Sequence, residues 1–344
     1  MEYLTPDTQV HEHTVTFGDG IVSEFIAVVN DWGRRRIPFL FITDFELKKP
    51  LAFPLDHIDS GKILYDINGF SNASPQGPSP LSASAFLHKH PIPEQVYREK
   101  YNKVFRHLAY GDTYLANLTI PTRVELSCAL HELFHVCRAK YKLLYEDQFL
   151  VFSPETFIRI DDGIIRSFPM KGTIDAGVPN AREKILSDQK ELAEHVTIVD
   201  LIRNDLSQVA TGVTVPRFRY VEEIRTSGKN LLQVSSEVAG RLPDDYHSRL
   251  GEILIALLPA GSVSGAPKRR TLEVIREAEE SDRGYFTGVF GYHDGNRLDC
   301  GVMIRYIERQ GDGWIYRSGG GITTQSVPEA EYQEAIDKVY VPFD

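Results

Sequence analysis

Strand-like segments occur in blocks along this sequence and do not alternate one for one with helices. The clearest block lies near the C-terminal end, where Tyr285–Tyr292, Leu298–Ile307 and Trp314–Ser318 are separated by turns that contain Gly and Asp. This spacing favours an antiparallel sheet. Because a parallel sheet would need a helix after each strand, we predict the α+β class.

Amphipathic periodicity predicts the helices. In Glu94–Leu108 the apolar residues recur at helical spacing, and Gly111 follows as a stop signal. Similar patterns predict further helices at Leu130–Ala139, Glu183–Val199, His247–Leu258, Lys268–Glu279 and Pro328–Lys338. The remaining predicted strands are Ile37–Phe45, Thr113–Ile120, Gln148–Ser153 and Phe157–Ile164.

The chain has enough apolar residues for a large core. Its 344 residues are 42% hydrophobic and 25% charged, which is typical of a soluble globular protein and permits one domain or two. The Pro- and Ser-rich stretch Ser71–Ser84 is a candidate linker between a short N-terminal part and the remainder.

The charge balance restricts the partners. A formal net charge of −10, with no basic run longer than Arg34–Arg36, argues against nucleic acid and against an anionic membrane. If the substrate is an anion, local lysines, arginines or a metal ion must oppose the overall field.

Cysteine usage and the termini favour a reducing compartment. Cys128, Cys137 and Cys300 form no CxxC pair and cannot all be paired internally. The N-terminal residues carry no signal-peptide pattern, and the longest apolar run, Ile253–Leu258, is too short to cross a bilayer. We therefore expect a cytoplasmic protein.

Lys171 lies sixteen residues after Glu155, in the run Pro169–Thr173. An amine beside a proton donor is typical of covalent catalysis. A lysine attacks only when it is neutral, and its reference pKa is about 10.4, so the fold must desolvate it or place it near other cations. The alternative is a solvated lysine in a turn.

Two predicted helices carry the same acidic spacing, Glu191 with Glu194 and Glu331 with Glu334. Residues three apart share one face of a helix. If both faces meet, the four carboxylates form an all-oxygen site suited to Mg²⁺, held partly through water. The alternative is two solvated acidic faces.

Several residues could hold an anion. Gly319 and Gly321 lie in a glycine run after a predicted strand, where backbone N–H groups can approach a ligand closely. Arg305 lies inside an apolar predicted strand, and either points outward or grips a carboxylate from a cavity. Lys338, one helical turn after Glu334, can add a second cation.

The run His131–His135 matches the HExxH pattern of zinc proteases. A zinc site needs a third ligand, and the best-spaced candidate is Glu155. Glu155 follows a strand and a proline, where such a protease would use a second helix. The alternative is a pair of histidines on a solvated helix face.

The ordered motifs resemble those of the chorismate-utilising enzymes, a family that includes anthranilate, aminodeoxychorismate, isochorismate and salicylate synthases. The resemblance spans about 70% of the chain. The motifs that carry it are Gly111–Tyr114, Ser153–Phe157, Pro169–Thr173, Glu194–Leu206, Ser264–Lys268, Ile304–Arg305, Gly319–Ile322 and Glu331–Glu334.

The resemblance implies a layered α/β/β/α sandwich of two similar halves, with the active site in the cleft between them. It also implies a single chorismate-binding domain over residues 1–344. Residues 1–90 would complete the sandwich, and residues 94–338 would form the catalytic core.

Two positions indicate the reaction within the family. Lysine at 171 is similar to the aminodeoxychorismate synthases, whereas anthranilate synthases carry alanine there. At 115 the water-adding members place a lysine and the amine-adding members commonly a glutamine, and this chain has Leu115. The resemblance thus implies that Lys171 attacks C2 of chorismate while protonated Glu155 assists departure of the C4 hydroxyl. Ammonia then attacks C4.

The same resemblance implies the binding residues. Mg²⁺ would be held by Glu194 and Glu334, supported by Glu191 and Glu331, and would bind the ring carboxylate. The second carboxylate, and the rest of the substrate, would contact Arg305, Tyr285, Lys338, Gly319, Gly321, Ser262, Gln233 and Thr173. Gln233 stands where the family usually has histidine, and it can donate a hydrogen bond but cannot carry a proton.

The chain contains no Gly-x-Cys-x-Gly elbow of a glutaminase. The resemblance therefore implies a separate glutamine amidotransferase partner that supplies ammonia for p-aminobenzoate and folate biosynthesis. The alternatives are an anthranilate synthase, a 2-amino-2-deoxyisochorismate synthase, and a silent homologue that only binds chorismate-like acids.

Overall fold

The computed structural model describes residues 10–11, 14–15, 20–74, 87–224 and 230–342. Within these residues the helices are α1 (Ile21–Arg34), α2 (Glu94–Tyr110), α3 (Leu130–Val136), α4 (Ala181–Ser187), α5 (Gln189–Ser207), α6 (Leu250–Leu257), α7 (Lys268–Glu279) and α8 (Pro328–Asp337). None of the helices in the described ranges is long and apolar enough to span a membrane.

The strand pairs among the described residues are all antiparallel. They are β1 (Val10–His11), β2 (Thr14–Val15), β3 (Phe39–Thr43), β4 (Leu51–Pro54), β5 (Ile63–Ile67), β6 (Phe70–Ser71), β7 (Leu87–His90), β8 (Leu115–Leu126), β9 (Tyr141–Tyr145), β10 (Phe149–Ser153), β11 (Thr156–Asp161), β12 (Ile164–Ser167), β13 (Met170–Asp175), β14 (Thr211–Ile224), β15 (Leu231–Arg241), β16 (Gly265–Ala266), β17 (Val289–His293), β18 (Leu298–Val302), β19 (Tyr306–Gln310) and β20 (Gly313–Ile322).

The strands form two large sheets. Sheet A has the order β1-β2-β4-β3-β17-β18-β11-β12-β15-β13, and β14 pairs with β15. Sheet B has the order β16-β8-β20-β19-β10-β9-β5-β6, and β7 pairs with β8. The N-terminal part contributes β3 and β4 to sheet A and β5 to sheet B, so it takes part in both sheets.

The two sheets pack face to face. On β3, Leu40 and Ile42 face the core that contains Tyr65 and Tyr141 of sheet B, whereas Phe39 and Phe41 face the opposite side. This is the two-residue alternation of a strand that is buried on both faces. The alternation explains why β3 is apolar at four of its five positions.

Helices cover the outer face of each sheet. Phe25 and Val29 of α1 are fully buried against sheet A, together with side chains of α5 and α6. On sheet B, α3 covers one part and α2, α7 and α8 another. Burial of each large apolar side chain stabilises the fold by roughly 1.5–3 kcal/mol. The predicted α+β class and the α/β/β/α sandwich are confirmed.

Two predicted elements are broken in the structure, and most of the candidate linker lies outside the described residues. The predicted helix Glu183–Val199 is wrong, because α4 ends at Ser187 and Asp188 caps a new helix by accepting the N–H of Glu191 at 3.0 Å. The predicted strand Leu298–Ile307 is two strands, broken where Arg305 adopts φ 54°. Of the candidate linker, residues 75–84 lie outside the described residues.

Candidate active site

A cavity of about 720 Å³ is lined by residues of both sheets. Sheet B contributes the strand segments around Asn117 and Gly320, and sheet A contributes β11 and β13. Helix α5, the end of α8 and the loop around Ser262 complete the walls. The cavity therefore lies where the two sheets and two of the helices meet.

Lys171 lies on β13 and lines this cavity, with 32% of its side chain exposed. Its Nζ is 2.6 Å from Oε2 of Glu194 on α5. Burial lowers the pKa of Lys171, but attraction by Glu194, Glu191 and Glu334 outweighs burial and holds the pKa above its ordinary value. In this arrangement the amine is a protonated ammonium, not the neutral nucleophile that we expected.

Glu155 lies between β10 and β11 and faces the same cavity. The Ser262 hydroxyl donates a short hydrogen bond to its Oε1. Burial raises the pKa of Glu155, and this exceeds the opposing effects of Ser262 and of the positive charges on Lys338 and Arg305. The carboxyl therefore retains its proton to a higher pH than usual, as a general acid requires.

The two acidic pairs lie on α5 and α8, which flank the cavity. Glu334 forms an ion pair with Lys338 at 2.6 Å, and Lys338 also donates to the carbonyl of Gly319 at 2.9 Å. A Cβ atom added to Gly320 would lie 3.5 Å from Oε2 of Glu331 and 3.7 Å from Oε1 of Glu334. The carboxylates of Glu331 and Glu334 therefore both face this glycine.

Each of the two acidic pairs has a glutamate that forms an ion pair with a lysine. In the part of the chain that the structure describes, no three His, Cys, Asp or Glu side chains converge as a metal site does. The carboxylates of Glu194 and Glu334 are instead neutralised by Lys171 and Lys338. The charge pattern is an acidic cluster with two ammonium groups placed within it.

Most residues that the sequence predicted for substrate binding line the cavity. They are Arg305, Gly319, Gly321, Lys338, Ser262, Gln233 and Thr173. Arg305 stands at the break between two strands, with its guanidinium 4.8 Å from the centre of the Tyr340 ring.

Tyr285 is placed elsewhere. Its hydroxyl donates to the backbone carbonyl of Lys49 at 2.9 Å, and its ring lies 5.0 Å from that of Phe149. The turn around residue 285 directs the next side chains, Phe286 and Thr287, to the cavity instead. The prediction that Tyr285 contacts the substrate is corrected, because Phe286 lines the cavity and Tyr285 does not.

The glycine run is part of a strand and not a loop. Gly319 and Gly321 lie in β20 and pair with Thr119 and Asn117 of β8. A Cβ on Gly319 would lie 2.2 Å from the carbonyl oxygen of Leu118. The absence of a side chain at Gly319 therefore allows the two strands to approach closely.

The HExxH motif lies on α3. Glu132 caps this helix by accepting the backbone N–H of Ala129 at 3.0 Å, and the rings of His131 and His135 lie 4.8 Å apart. Glu155, the expected third ligand, bonds to Ser262 instead. Because Glu132 caps its own helix and Glu155 bonds to Ser262, the structure gives the zinc-protease interpretation no support.

Sequence reasoning missed two polar features of the cavity wall. Lys268 of α7 forms an ion pair with Asp205 of α5 at 2.9 Å and donates to the carbonyl of Leu257 at 3.1 Å, so it joins the two ends of the loop that carries Ser262. Asn117 presents a side-chain carbonyl that is buried and lacks a hydrogen-bond partner among the described residues. Lys268 and Asp205 lie in motifs and Asn117 lies in a predicted strand, but neither pattern reveals which atoms lack a partner.

His195 supports the strand that carries Lys171. It is fully buried, and its Nε2 lies 2.7 Å from Oγ of Ser236, whose backbone N–H bonds to the carbonyl of Pro169 at 3.0 Å. Burial lowers the pKa of His195 to about 4. The imidazole is therefore neutral at physiological pH.

Comparison with known proteins identifies the family. The family model described as chorismate binding enzyme matches residues 56–344. An uncharacterised PabA-like protein of Haemophilus influenzae is 44% identical over 325 residues, which cover 94% of this chain and 98% of that protein. Aminodeoxychorismate synthase component 1 of Salmonella typhimurium is 36% identical over 71% of this chain, but the match spans only 56% of the synthase.

Solved structures agree in fold. Anthranilate synthase component I of Streptococcus pneumoniae has a TM-score of 0.69 at 19% identity, with 98% of this chain and 93% of that chain covered. The menaquinone-specific isochorismate synthase of Escherichia coli has a TM-score of 0.70 at 15% identity, with 96% and 88% covered. The chain belongs to the chorismate binding enzyme family, and the resemblance found in its motifs is confirmed.

Proposed function

We propose that this protein is an aminodeoxychorismate synthase component I, which converts chorismate and ammonia to 4-amino-4-deoxychorismate. The observation that carries the proposal is that an amine and a carboxyl group of raised pKa, those of Lys171 and Glu155, line one cavity. The relatives named as aminodeoxychorismate synthases support it. The match to this chain covers 55% and 56% of their length.

The first step forms a covalent bond to the enzyme. The neutral amine of Lys171 attacks C2 of chorismate, both ring double bonds shift, and the C4–O bond breaks. Glu155 gives its proton to the departing hydroxyl, which leaves as water, and the lysine nitrogen loses one of its protons. The amine is held at the ring by the fold, and this gives it a high effective concentration.

The second step reverses the electron flow. Ammonia attacks C4, the double bonds return to their first positions, and the bond between C2 and the lysine nitrogen breaks. The attacking nitrogen loses a proton and Lys171 regains one. The atoms balance without an oxidant or reductant, since hydroxyl is replaced by amine.

Lys171 must lose its proton before the first step. The ion pair with Glu194 holds that proton, because it raises the pKa of the amine. Separation of the pair would remove the largest of the attractions that favour the ammonium form. We therefore expect the enzyme to become competent only when Glu194 has another partner.

The four glutamates suit Mg²⁺ by their chemistry, because all are carboxylates on two helices that flank one cavity. Glu194 and Glu334 would be direct ligands, with Glu191 and Glu331 acting through water. When bound, Mg²⁺ would supply the positive charge that holds the ring carboxylate of the substrate. Arg305 and Lys338 would take the enolpyruvyl carboxylate, with backbone N–H groups of Gly319 and Gly321.

Ammonia would come from a separate glutamine amidotransferase, with free ammonium as a poorer substitute. The product would then be a precursor of p-aminobenzoate and folate. The competing function is anthranilate synthesis, which named relatives carry out, and amination at C2 to 2-amino-2-deoxyisochorismate is a variant of it.

The product distinguishes these functions. Purified protein would be incubated with chorismate, Mg²⁺ and ammonium, and the products separated by chromatography and identified by mass. We expect 4-amino-4-deoxychorismate from the wild type and little of it from Lys171→Ala. Anthranilate or the C2-aminated acid as the wild-type product would overturn the proposal.

A further inference from the structure

We propose that Asn117 is the binding point for the ammonia that attacks C4, with its side-chain carbonyl accepting an N–H of the incoming nucleophile. This inference rests on the proposed amination of chorismate. It adds a residue that positions the second substrate.

The Asn117 side chain has an unmet hydrogen bond. Its Oδ1 is buried and has no partner among the described residues, although the side chain lines the cavity. A buried acceptor left unsatisfied typically costs about 1–3 kcal/mol. Such a group in a native cavity wall is typical of one that a ligand or water satisfies.

The backbone of Asn117 is held firmly. Its N–H donates to the carbonyl of Ser264 at 2.8 Å, and its own carbonyl accepts from the buried guanidinium of Arg283 at 2.7 Å. Arg283 is itself fixed by Glu279 at 2.7 Å. The amide therefore projects from a rigid strand, as a group that positions a small molecule must.

Asn117 lies on the Glu155 side of the cavity. The loop that bonds to Asn117 through Ser264 bonds to Glu155 through Ser262, two residues earlier. Glu155 is the group that assists loss of the C4 hydroxyl in the proposed reaction. A substrate whose C4 hydroxyl faces Glu155 would therefore have C4 beside the loop that also bonds to Asn117.

The two neighbouring cavity-lining residues of β8 are less suited than Asn117 to bind ammonia. Leu115 and Thr119 also line the cavity, two residues away on either side. Leu115 is apolar, and the Thr119 hydroxyl already donates to Glu279 at 2.9 Å. Within the described part of β8, Asn117 is the cavity-lining residue with a buried side-chain oxygen that makes no hydrogen bond.

The chemistry favours ammonia as the occupant. An acceptor oxygen repels the carboxylates of chorismate and attracts a small donor. An ammonia molecule held by one N–H keeps its lone pair free for attack on carbon, and the leucine beside it offers water no second partner. The C4 hydroxyl of chorismate is the other donor that could reach Asn117, and it would act in the first step.

The two steps can be measured separately. Without ammonium, chorismate and Mg²⁺ should give the Lys171 adduct, whose rate reports the first step. Addition of ammonium to the preformed adduct reports the second. The variants are Asn117→Leu, which removes the acceptor, Asn117→Ala, which removes it with less risk to folding, and Asn117→Asp, which retains an acceptor oxygen.

Thr122→Val is a matched control. Thr122 is fully buried on the same strand, its Oγ1 also lacks a partner among the described residues, and it does not line the cavity. We expect Thr122→Val to leave both steps unchanged. A change in it equal to that of Asn117→Leu would show that any lost polar group on β8 has this effect.

We expect Asn117→Leu and Asn117→Ala to form the adduct at a rate within threefold of wild type, and to raise the KM for ammonium by about tenfold, the factor for one lost hydrogen bond. Asn117→Asp should keep the KM for ammonium near that of wild type. Slower adduct formation without ammonium would place Asn117 at the C4 hydroxyl and overturn the inference, as would an unchanged KM for ammonium. If the wild type forms neither adduct nor aminated product, the proposed function itself fails.

Discussion

Nζ of Lys171 lies 2.6 Å from Oε2 of Glu194, and the same distance separates Nζ of Lys338 from Oε1 of Glu334. Each of the two acidic helix faces therefore has a lysine as a counter-ion within the cavity. In the proposed reaction the two glutamates bind a cation, and the two lysines contact the substrate. Both ion pairs must separate for the enzyme to act.

Glu194→Gln and Glu334→Gln should each weaken Mg²⁺ binding, because a neutral amide replaces a carboxylate ligand. We expect the apparent dissociation constant for Mg²⁺ to rise by about tenfold or more, the effect of losing about 1.4 kcal/mol of binding energy. Calorimetric titration of the substrate-free protein measures it directly. Glu183→Gln, an exposed glutamate on α4, is the control. Unaltered titrations in the first two variants would argue against ligation.

Glu155→Gln should lose activity and gain stability. Burial raises the pKa of Glu155 above its ordinary 4.5, so the folded protein binds this proton more tightly than the unfolded chain. The wild type therefore loses stability as pH rises from that ordinary value through the raised one. Glutamine cannot ionise, so its free energy of unfolding should exceed that of wild type near neutral pH. Removal of a general acid typically costs about 10²–10⁴-fold in rate.

Denaturant unfolding of both proteins at pH 5 and pH 8, together with product formation, checks this prediction. The difference in stability should be larger at pH 8. Glu155 would not be the proton donor if Glu155→Gln retained the wild-type rate.

Acid should destabilise the protein through two buried histidines. Burial lowers the pKa of His195 and of His293 to about 4, whereas an unfolded histidine titrates near 6.5. The unfolded chain binds more protons between these values, so stability is lost as pH falls from about 6.5 towards 4. Each histidine should contribute about 2 kcal/mol of this loss at pH 5.

Urea unfolding at pH 7.5 and pH 5 measures the loss. The fall in the free energy of unfolding should be smaller in His293→Gln, since glutamine does not titrate. Equal pH dependence in the variant and the wild type would contradict the assigned pKa of His293.

Two neighbouring glycines should respond differently to alanine. The Cβ of Gly319→Ala would meet the Leu118 carbonyl at 2.2 Å, so β20 must move away from β8, at a cost of roughly 1–3 kcal/mol of stability. The Cβ of Gly320→Ala has no contact closer than 3.5 Å, and it faces Glu331, Glu334 and Lys338. This variant should keep its melting temperature but alter Mg²⁺ binding. The reverse pattern would show that the glycines are placed incorrectly.

Local sequence signals predicted the elements that are set locally. The predicted helix Lys268–Glu279 agrees with α7 at both ends, since Pro267 precedes it and its apolar face is regular. The sequence does not predict the antiparallel pair β14 and β15, because Gly212 and Pro216 interrupt β14 and its register with β15 shifts at three places. Helix α1 was missed despite its apolar face.

The candidate site shows the same limit. Motifs brought Lys171, Glu155 and the glutamates into one predicted site, and the structure places all but Glu331 around one cavity, with Glu331 beside Gly320. The charge state of Lys171 could not be predicted, since it depends on where α5 places Glu194. The sequence predicts Tyr285 for the cavity wall, whereas the next residue, Phe286, lines it. The conformation of the turn determines which of the two faces the cavity.

The mass of the protein after treatment with chorismate tests the covalent role of Lys171 most directly. Wild-type protein with chorismate and Mg²⁺, but no ammonium, should gain the mass of chorismate less one water, and digestion should locate it on Lys171. Ammonium should then remove it and release 4-amino-4-deoxychorismate. Wild-type protein that makes this product with no adduct on Lys171, or Lys171→Ala protein that makes it at the wild-type rate, would contradict the account.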